Sequence, residues 1–138
     1  MKMLIVHDLA EVVTGDLSPL GTDGTGQDSH LYNKEKAKEK FDGENAAAKK
    51  IFGVLPPELA KELYGVWMEY EKQECYEAKI VKAVDKLEGK LQAAEYAKGN
   101  MVATHLDFSL KYGMEAIEVD PALAELGEAV CGEMGKRC

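Results

Sequence analysis

Arginine is almost absent from this sequence: Arg137, next to the last residue, is the only one in 138 residues. The formal net charge is −8, with 25 acidic against 17 basic side chains. Because proteins that bind nucleic-acid polymers rely on clustered lysine and arginine, this balance excludes a broad nucleic-acid surface. A small phosphorylated ligand would find no guanidinium fork in the body of the chain. A metal ion, lysines or residues from elsewhere would have to hold it.

Paired cysteines and long apolar runs are also missing. Cys75, Cys131 and Cys138 are odd in number and form no CxxC pair, so we expect reduced thiols rather than a disulfide or metal-thiolate framework. No apolar run approaches the ~20 residues that span a bilayer. At the N-terminus, His7 and Asp8 arrive too early for the core of a signal peptide. The sequence therefore predicts a cytoplasmic protein with no membrane partner.

Helical periodicity runs through nearly the whole sequence, which predicts an all-α fold and a single domain over residues 1–138. The glycine-rich segment 21–26 lacks the Lys-Ser/Thr of a phosphate loop, so we interpret it as a flexible connection. The first predicted helix covers residues 3–14, with Gly15 as a left-handed cap, and the second runs from about Tyr32 to Phe52. A third begins at Pro57, and a fourth runs from about Cys75 to Lys98. Thr104 and Asp107 form the predicted capping box of a short fifth helix, and Asp120 with Pro121 begins the last one. Along the second helix we expect the lysines and glutamates to face solvent. In the second and third helices, the residues predicted to be buried are Ala37, Phe41, Ala48, Ile51, Leu59, Leu63, Val66, Trp67 and Tyr70. In the fourth helix they are Ile80, Val81, Val84, Leu87, Leu91 and Ala94.

A histidine and several carboxylates follow the first apolar run, in the stretch HDLAEVVTGD. On a helix, His7, Asp8 and Glu11 share one surface, and Asp16 lies just past its end. Like charges at Asp8 and Glu11 repel each other unless a cation or a proton intervenes. Asp85 occupies the margin of a predicted buried stripe, where a carboxylate needs a partner. The structural alternative is a solvated polar face, with Lys82 and Lys86 as the partners of Asp85.

A cluster of imidazole and carboxylate suits a borderline divalent cation such as Mn²⁺, Co²⁺, Fe²⁺, Ni²⁺ or Zn²⁺. Such an ion acidifies a bound water and polarises a phosphoryl oxygen. The sequence therefore indicates a metal site with hydrolytic chemistry as the functional alternative to a polar face.

These residues resemble a known family. The motif HDxxExxxGD, with Asp85 in the distant VKAVDKLEGKL, is similar to that of the HD-domain metal-dependent phosphohydrolases, most closely their 5′-deoxynucleotidase branch. The resemblance covers about residues 3–98, including segment 62–96. It implies an all-α HD-domain bundle around a divalent cation (Mn, Co, Fe, Ni, Zn or Mg), often as a homodimer. The implied activity is removal of the 5′-phosphate from small-molecule (deoxy)nucleoside monophosphates.

The resemblance also implies roles for individual residues. His7, Asp8 and Asp85 would be metal ligands. Glu11 would be a general acid or base, or a ligand of a second ion. Asp16, with the backbone carbonyl of Leu17, would bind the sugar or a second cation.

One departure from the family pattern leaves two explanations open. The family takes a further metal-binding histidine, in a His-Ser motif, and a phosphate-contacting arginine from an upstream helix, whereas this chain begins six residues before His7. We favour a truncated chain over a genuine short form; His30 and His105 are possible substitutes for the histidine. Dimerisation or swapping is expected in either case. The rival functions are a non-catalytic nucleotide- or metal-binding module and an acidic helical interaction protein.

Overall fold

The computed structural model describes residues 1–96 and 101–137. Within these ranges the chain forms α-helices and no strand, which confirms the all-α prediction. The described helices are α1 (Lys2–Val6), α2 (Glu11–Thr14), α3 (Lys34–Phe52), α4 (Pro57–Lys72), α5 (Tyr76–Tyr96), α6 (Ala103–Lys111), α7 (Met114–Ile117) and α8 (Pro121–Arg137). The predicted end of the fourth helix at Lys98 lies outside the described residues.

The chain divides into two compact units, Met1–Ala78 and Lys79–Cys138. The first contains α1 to α4, and the second contains most of α5 together with α6, α7 and α8. The prediction of one domain over residues 1–138 stays a prediction.

The core of the first unit forms where α1 and α3 pack against α4 and where α2 packs against α3. Trp67 lies at its centre and is fully buried, with the rings of Phe41 and Tyr64 at centroid distances of 6.2 and 5.9 Å. The buried members of this core are Val6, Ala10, Ala47, Ala48, Phe52 and Trp67. This arrangement confirms Trp67 as a core residue and fixes α1 and α2 against the longer helices.

The first helix is not continuous, contrary to the prediction of one helix over residues 3–14. Residues 7–10 form a tight turn between α1 and α2, with amide-to-carbonyl hydrogen bonds from Leu9 to Val6 and from Glu11 to Asp8 that span three residues. A 3₁₀-like turn of this kind is common at helix ends, and periodicity of apolar residues does not distinguish it from an α-helix. The predicted cap is also different in detail: Gly15 has φ 79° and ψ 153°, a conformation open essentially to glycine but not the left-handed helical one.

Helix α3 begins after Asn33, whose side-chain oxygen accepts hydrogen bonds from the amides of Glu35 and Lys36 at 3.0 and 3.1 Å. This N-cap sets the first residue of the helix. Ala48 is fully buried as predicted, but Ala37, one turn into the helix, is exposed. Leu59 at the start of α4 is likewise exposed, contrary to the prediction.

The second unit has its own core. It forms where α6 and α7 each pack against α8. Its buried members are Leu87, Ala94, Ile117, Val130 and Met134. In the predicted stripe of α5, Leu87 and Ala94 are buried as expected, whereas Val84 and Leu91 are 37 and 43% exposed. The stripe that periodicity predicts is therefore wider than the face that α5 buries.

Two helix starts in the second unit test local capping signals. Asp120 accepts hydrogen bonds from the amides of Ala122 and Leu123, at 2.9 and 3.2 Å, so the predicted N-cap of α8 is confirmed. The predicted capping box of α6 is wrong, because Val102 is the N-cap and Thr104 lies inside the helix. Asp107 instead pairs with Lys111, one turn further on.

Candidate metal centre

His7 stands at the end of α1 with its ring almost buried, the side chain being 9% exposed. Its Nδ1 lies 3.0 Å from the carbonyl oxygen of Leu4. A carbonyl oxygen only accepts hydrogen bonds, so this contact places a proton on Nδ1. The carboxylate oxygen of Asp8 also only accepts, so either a proton on Nε2 or a cation held between Nε2 and Asp8 satisfies the second ring nitrogen. The edge of the Tyr70 ring also packs against this imidazole, at a centroid distance of 4.9 Å. Metal-binding histidines are commonly oriented in this way, by a carbonyl on the other ring nitrogen.

Asp8 brings a carboxylate oxygen to the same ring nitrogen. Its Oδ2 lies 3.1 Å from Nε2 of His7, and its side chain is 60% exposed. Neighbouring residues on a regular α-helix do not face each other. The tight turn between α1 and α2 therefore matters, because it is at this turn that the two side chains of the HD pair meet.

Glu11 opens α2 beside this pair, and its carboxylate is only 23% exposed. Burial raises its pKa above the usual 4.5, and the negative charges of Asp8, Asp16 and Glu44 raise it further, while Lys40 acts in the opposite direction. A carboxyl group with a raised pKa holds its proton closer to neutral pH, which is a requirement for a general acid.

Asp16 and Leu17 follow Gly15 and are both exposed. The charge of Asp16 contributes to the raised pKa of Glu11, so the two carboxylates lie in the same electrostatic environment. The predicted residues His7, Asp8, Glu11 and Asp16 thus belong to one segment of the first unit.

Asp85 lies on α5, in the second unit, with 26% of its side chain exposed. Its Oδ2 accepts a hydrogen bond from Nζ of Lys86 at 2.7 Å. Burial acts to lower the pKa of Lys86, but this hydrogen bond and the neighbouring Tyr112 outweigh burial and raise it. Lys86, one of the two lysines predicted as partners of Asp85, therefore supplies such a partner, and a cation bound by Asp85 would share that carboxylate with it.

The donor set has the chemistry of a divalent metal site. In the first unit, His7 and Asp8 bring an imidazole nitrogen and a carboxylate oxygen together. Asp85 offers a further carboxylate oxygen in the second unit. Nitrogen and oxygen donors together suit borderline divalent cations. With Nδ1 turned to the Leu4 carbonyl, Nε2 is the ring nitrogen that faces a carboxylate, so the residues present fit the metal that the sequence resemblance implies. Within residues 1–96 and 101–137, neither His30 nor His105 belongs to a group of three donors that could hold a metal ion.

Sequence reasoning missed two charged residues of α3 that stand next to Glu11. Glu44 is buried, with 6% of its side chain exposed, and pairs with Lys40 through a short hydrogen bond. Nζ of Lys40 lies 3.6 Å from Oε1 of Glu11. The lysines and glutamates of α3 were all expected to face solvent, which is wrong for Glu44. The only available signal was their spacing of four residues, which other pairs of the same helix share.

Known proteins match this chain over most of its described length. The sequence pattern of the HD domain family matches residues 1–127. The 5′-deoxynucleotidase HDDC2 of Danio rerio is 44% identical over 96 residues, or 70% of this chain and 42% of that protein. For the HDDC2 of Homo sapiens the identity is 40%, and for the 5′-deoxynucleotidase YGK1 of Saccharomyces cerevisiae it is 29%, each over 70% of this chain and 41% of the relative.

The matched stretch thus spans less than half the length of these curated relatives. The family match, however, extends over nearly the whole chain and includes every predicted site residue. No helix among the described residues has the length and apolar character needed to cross a membrane. The chain belongs to the HD-domain family, and within it resembles the 5′-deoxynucleotidases.

Proposed function

We propose that this chain carries the metal centre of a phosphohydrolase that removes the 5′-phosphate of deoxyribonucleoside monophosphates. The observation that carries the proposal is the imidazole of His7, whose Nδ1 is engaged by the Leu4 carbonyl while Nε2 lies 3.1 Å from a carboxylate oxygen of Asp8. The similarity to 5′-deoxynucleotidases supports the choice of substrate class.

On the membership in the HD-domain family, His7, Asp8 and Asp85 are the proposed ligands of a divalent cation. The candidate ions are Mn²⁺, Co²⁺, Fe²⁺, Ni²⁺, Zn²⁺ and Mg²⁺. When bound, such a cation supplies Lewis-acid chemistry, polarising a phosphoryl oxygen and lowering the pKa of water. The protein contributes the orientation of the donors. His7 is held from two sides, by a backbone carbonyl and by the ring of Tyr70.

Glu11 is the proposed general acid or base. Burial and neighbouring carboxylates raise the pKa of Glu11, which favours its protonated form. The protonated carboxyl group can then give its proton to the departing 5′-oxygen. Its alternative role is to bind a second cation. Asp16 and the carbonyl of Leu17 are exposed next to this segment, where they can accept hydrogen bonds from a sugar or bind that second cation.

The test combines metal analysis with phosphate release. Asp8→Ala and Asp85→Ala should each lower the bound metal and reduce release of phosphate from a deoxynucleoside monophosphate by roughly a hundredfold or more. Asp107→Ala is the matched control, because this exposed aspartate of α6 pairs only locally with Lys111 among the contacts described. It should change neither quantity.

Unchanged metal content and unchanged rates in both Asp8→Ala and Asp85→Ala would contradict the proposed centre. Calorimetric binding of a deoxynucleotide by a wild-type chain that releases no phosphate would instead support the binding module.

We also propose a cytoplasmic homodimer. The unpaired cysteine pattern supports a reducing compartment, and exposed apolar side chains such as Ile5, Val12 and Val13 support self-association. Light scattering after gel filtration tests the dimer, and imaging of the tagged protein tests the location.

A further inference from the structure

Lys40 is a lysine of α3 that lies next to two carboxylates of the first unit, those of Glu11 and Glu44. It projects from α3, with 21% of its side chain exposed, and lies 3.6 Å from Glu11 as well as within hydrogen-bond distance of Glu44. Burial acts to lower its pKa, but the hydrogen bond and charge of Glu44, followed by the charges of Glu11 and Glu71, outweigh burial and raise it. Both neighbouring carboxylates therefore favour the charged form of Lys40.

Glu44 determines where this ammonium group stays. The carboxylate of Glu44 is almost fully buried, and a buried carboxylate without a cation is strongly destabilising. The pair therefore cannot separate without a cost, whereas the pair formed by Lys38 and Asp42 on the same helix has side chains 76 and 56% exposed. Exposed pairs of that kind contribute little and exchange with water. Lys40 is thus an anchored cation, while Lys38 is a solvated one.

Glu11 needs such an anchor. Asp8, Asp16 and Glu44 all carry charge of the same sign in its neighbourhood, and their repulsion favours rotation of its side chain toward solvent. Glu11 is the first residue of a helix of only four residues, α2. The cation that α3 brings up to Oε1 opposes this rotation.

We propose that Lys40 is a positioning residue, whose ammonium group, anchored by Glu44, holds the carboxylate of Glu11 in place for proton transfer. The catalytic part of this inference rests on the proposed function, whereas the contact itself does not. Lys40 acts through Glu11 and contributes no proton and no bond to the reaction. Misplacement of a reacting group by about 1 Å can cost a hundredfold in rate.

The test uses steady-state kinetics on the metal-loaded chain with a deoxynucleoside monophosphate. Lys40→Met should lower kcat by roughly tenfold to a hundredfold with little change in KM. Lys40→Arg keeps the positive charge and should restore most of kcat. Lys38→Met removes the equivalent exposed pair of the same helix, and its kcat should equal that of the wild type. A loss of kcat that Lys40→Arg does not rescue, or a raised KM with unchanged kcat, would overturn the positioning role.

A double-mutant cycle on urea denaturation tests the contact without activity. Lys40→Met should shift the midpoint less in a Glu11→Gln background than in the wild type, because one of its two partners is already neutral. Equal shifts in the two backgrounds would refute the contact. If the wild type releases no phosphate at all, the proposed function fails, and the cycle alone decides whether Lys40 holds Glu11.

Discussion

Replacement of Lys90 tests how the second unit tolerates a buried charge. Lys90 lies on α5 with only 4% of its surface exposed, and its Nζ donates hydrogen bonds to the carbonyls of Ser109 and Leu110 at 2.6 and 3.1 Å. These carbonyls belong to the last turn of α6, where no amide of the same helix is available to them. The ammonium group therefore caps the end of α6 and also complements its dipole.

The expected magnitude follows from two opposing terms. Lys90→Met keeps the length of the side chain but leaves the Ser109 carbonyl without its charged donor and the Leu110 carbonyl with only the weak thiol donor of Cys131 at 3.6 Å. A group left unsatisfied costs about 1–3 kcal/mol. It also removes a buried ammonium group, and burial lowers the pKa of Lys90, so part of its desolvation is not compensated. We therefore expect a net loss of about 1–3 kcal/mol, less than the sum of both hydrogen bonds.

Urea denaturation followed by circular dichroism measures this loss, with Lys111→Met as the control on α6. Lys111 is 74% exposed and pairs with Asp107, so its replacement should change the free energy of unfolding by less than about 0.5 kcal/mol. Burial lowers the pKa of Lys90 in the folded state below the usual 10.5. At pH values below this folded pKa, Lys90 is charged in the folded protein and its burial reduces the free energy of unfolding by the full amount. The advantage of the wild type over Lys90→Met should then grow as the pH rises toward 10.5. A variant as stable as the wild type at every pH would refute the capping argument.

Two further predictions concern the first unit. Glu11→Gln should stabilise the metal-free chain at neutral pH but not below pH 4.5. The pKa of Glu11 is higher in the folded than in the unfolded chain, so its ionisation lowers the free energy of unfolding as the pH rises from the unfolded pKa to the folded pKa. Melting temperatures in the presence of a chelator measure this, and an equal difference at both pH values would contradict it. Asn33→Ala should cost about 1 kcal/mol in urea denaturation, because the amides of Glu35 and Lys36 lose their acceptor, whereas Asn33→Asp should retain most of the stability.

Much of the fold could be predicted because its signals are local. The pair Asp120 and Pro121 predicts a helix start from two neighbouring residues alone, and the structure confirms it. Pro57 likewise occupies the first position of α4. Thr104 failed as a cap because the same residue types also occur within first turns, and only the backbone decides between the two. The break after α1 was invisible for a related reason, since a tight turn preserves the apolar spacing of Val6 and Ala10.

The site was predictable in part for a different reason. The HD pair and Glu11 are contiguous in the sequence, so their neighbourhood requires only one short segment to fold. Lys40 and Glu44 come from another helix, and α3 offers a second pair, Lys38 and Asp42, at the same spacing. Which of the two pairs faces α2 depends on how α3 packs, and no local pattern encodes that choice.

The packing of the first unit determines the orientation of the His7 imidazole. Val6 and Ala10 lie in the core on either side of it, and α1 packs against α4, which carries Tyr70. The hydrogen bond to Leu4 and the contact with Tyr70 both arise within the first unit, so folding alone can orient the imidazole. A donor that is held before the cation arrives loses little side-chain entropy on binding. Apolar packing around the tight turn would therefore contribute to the affinity of the proposed metal centre, although none of the packed residues is a proposed ligand.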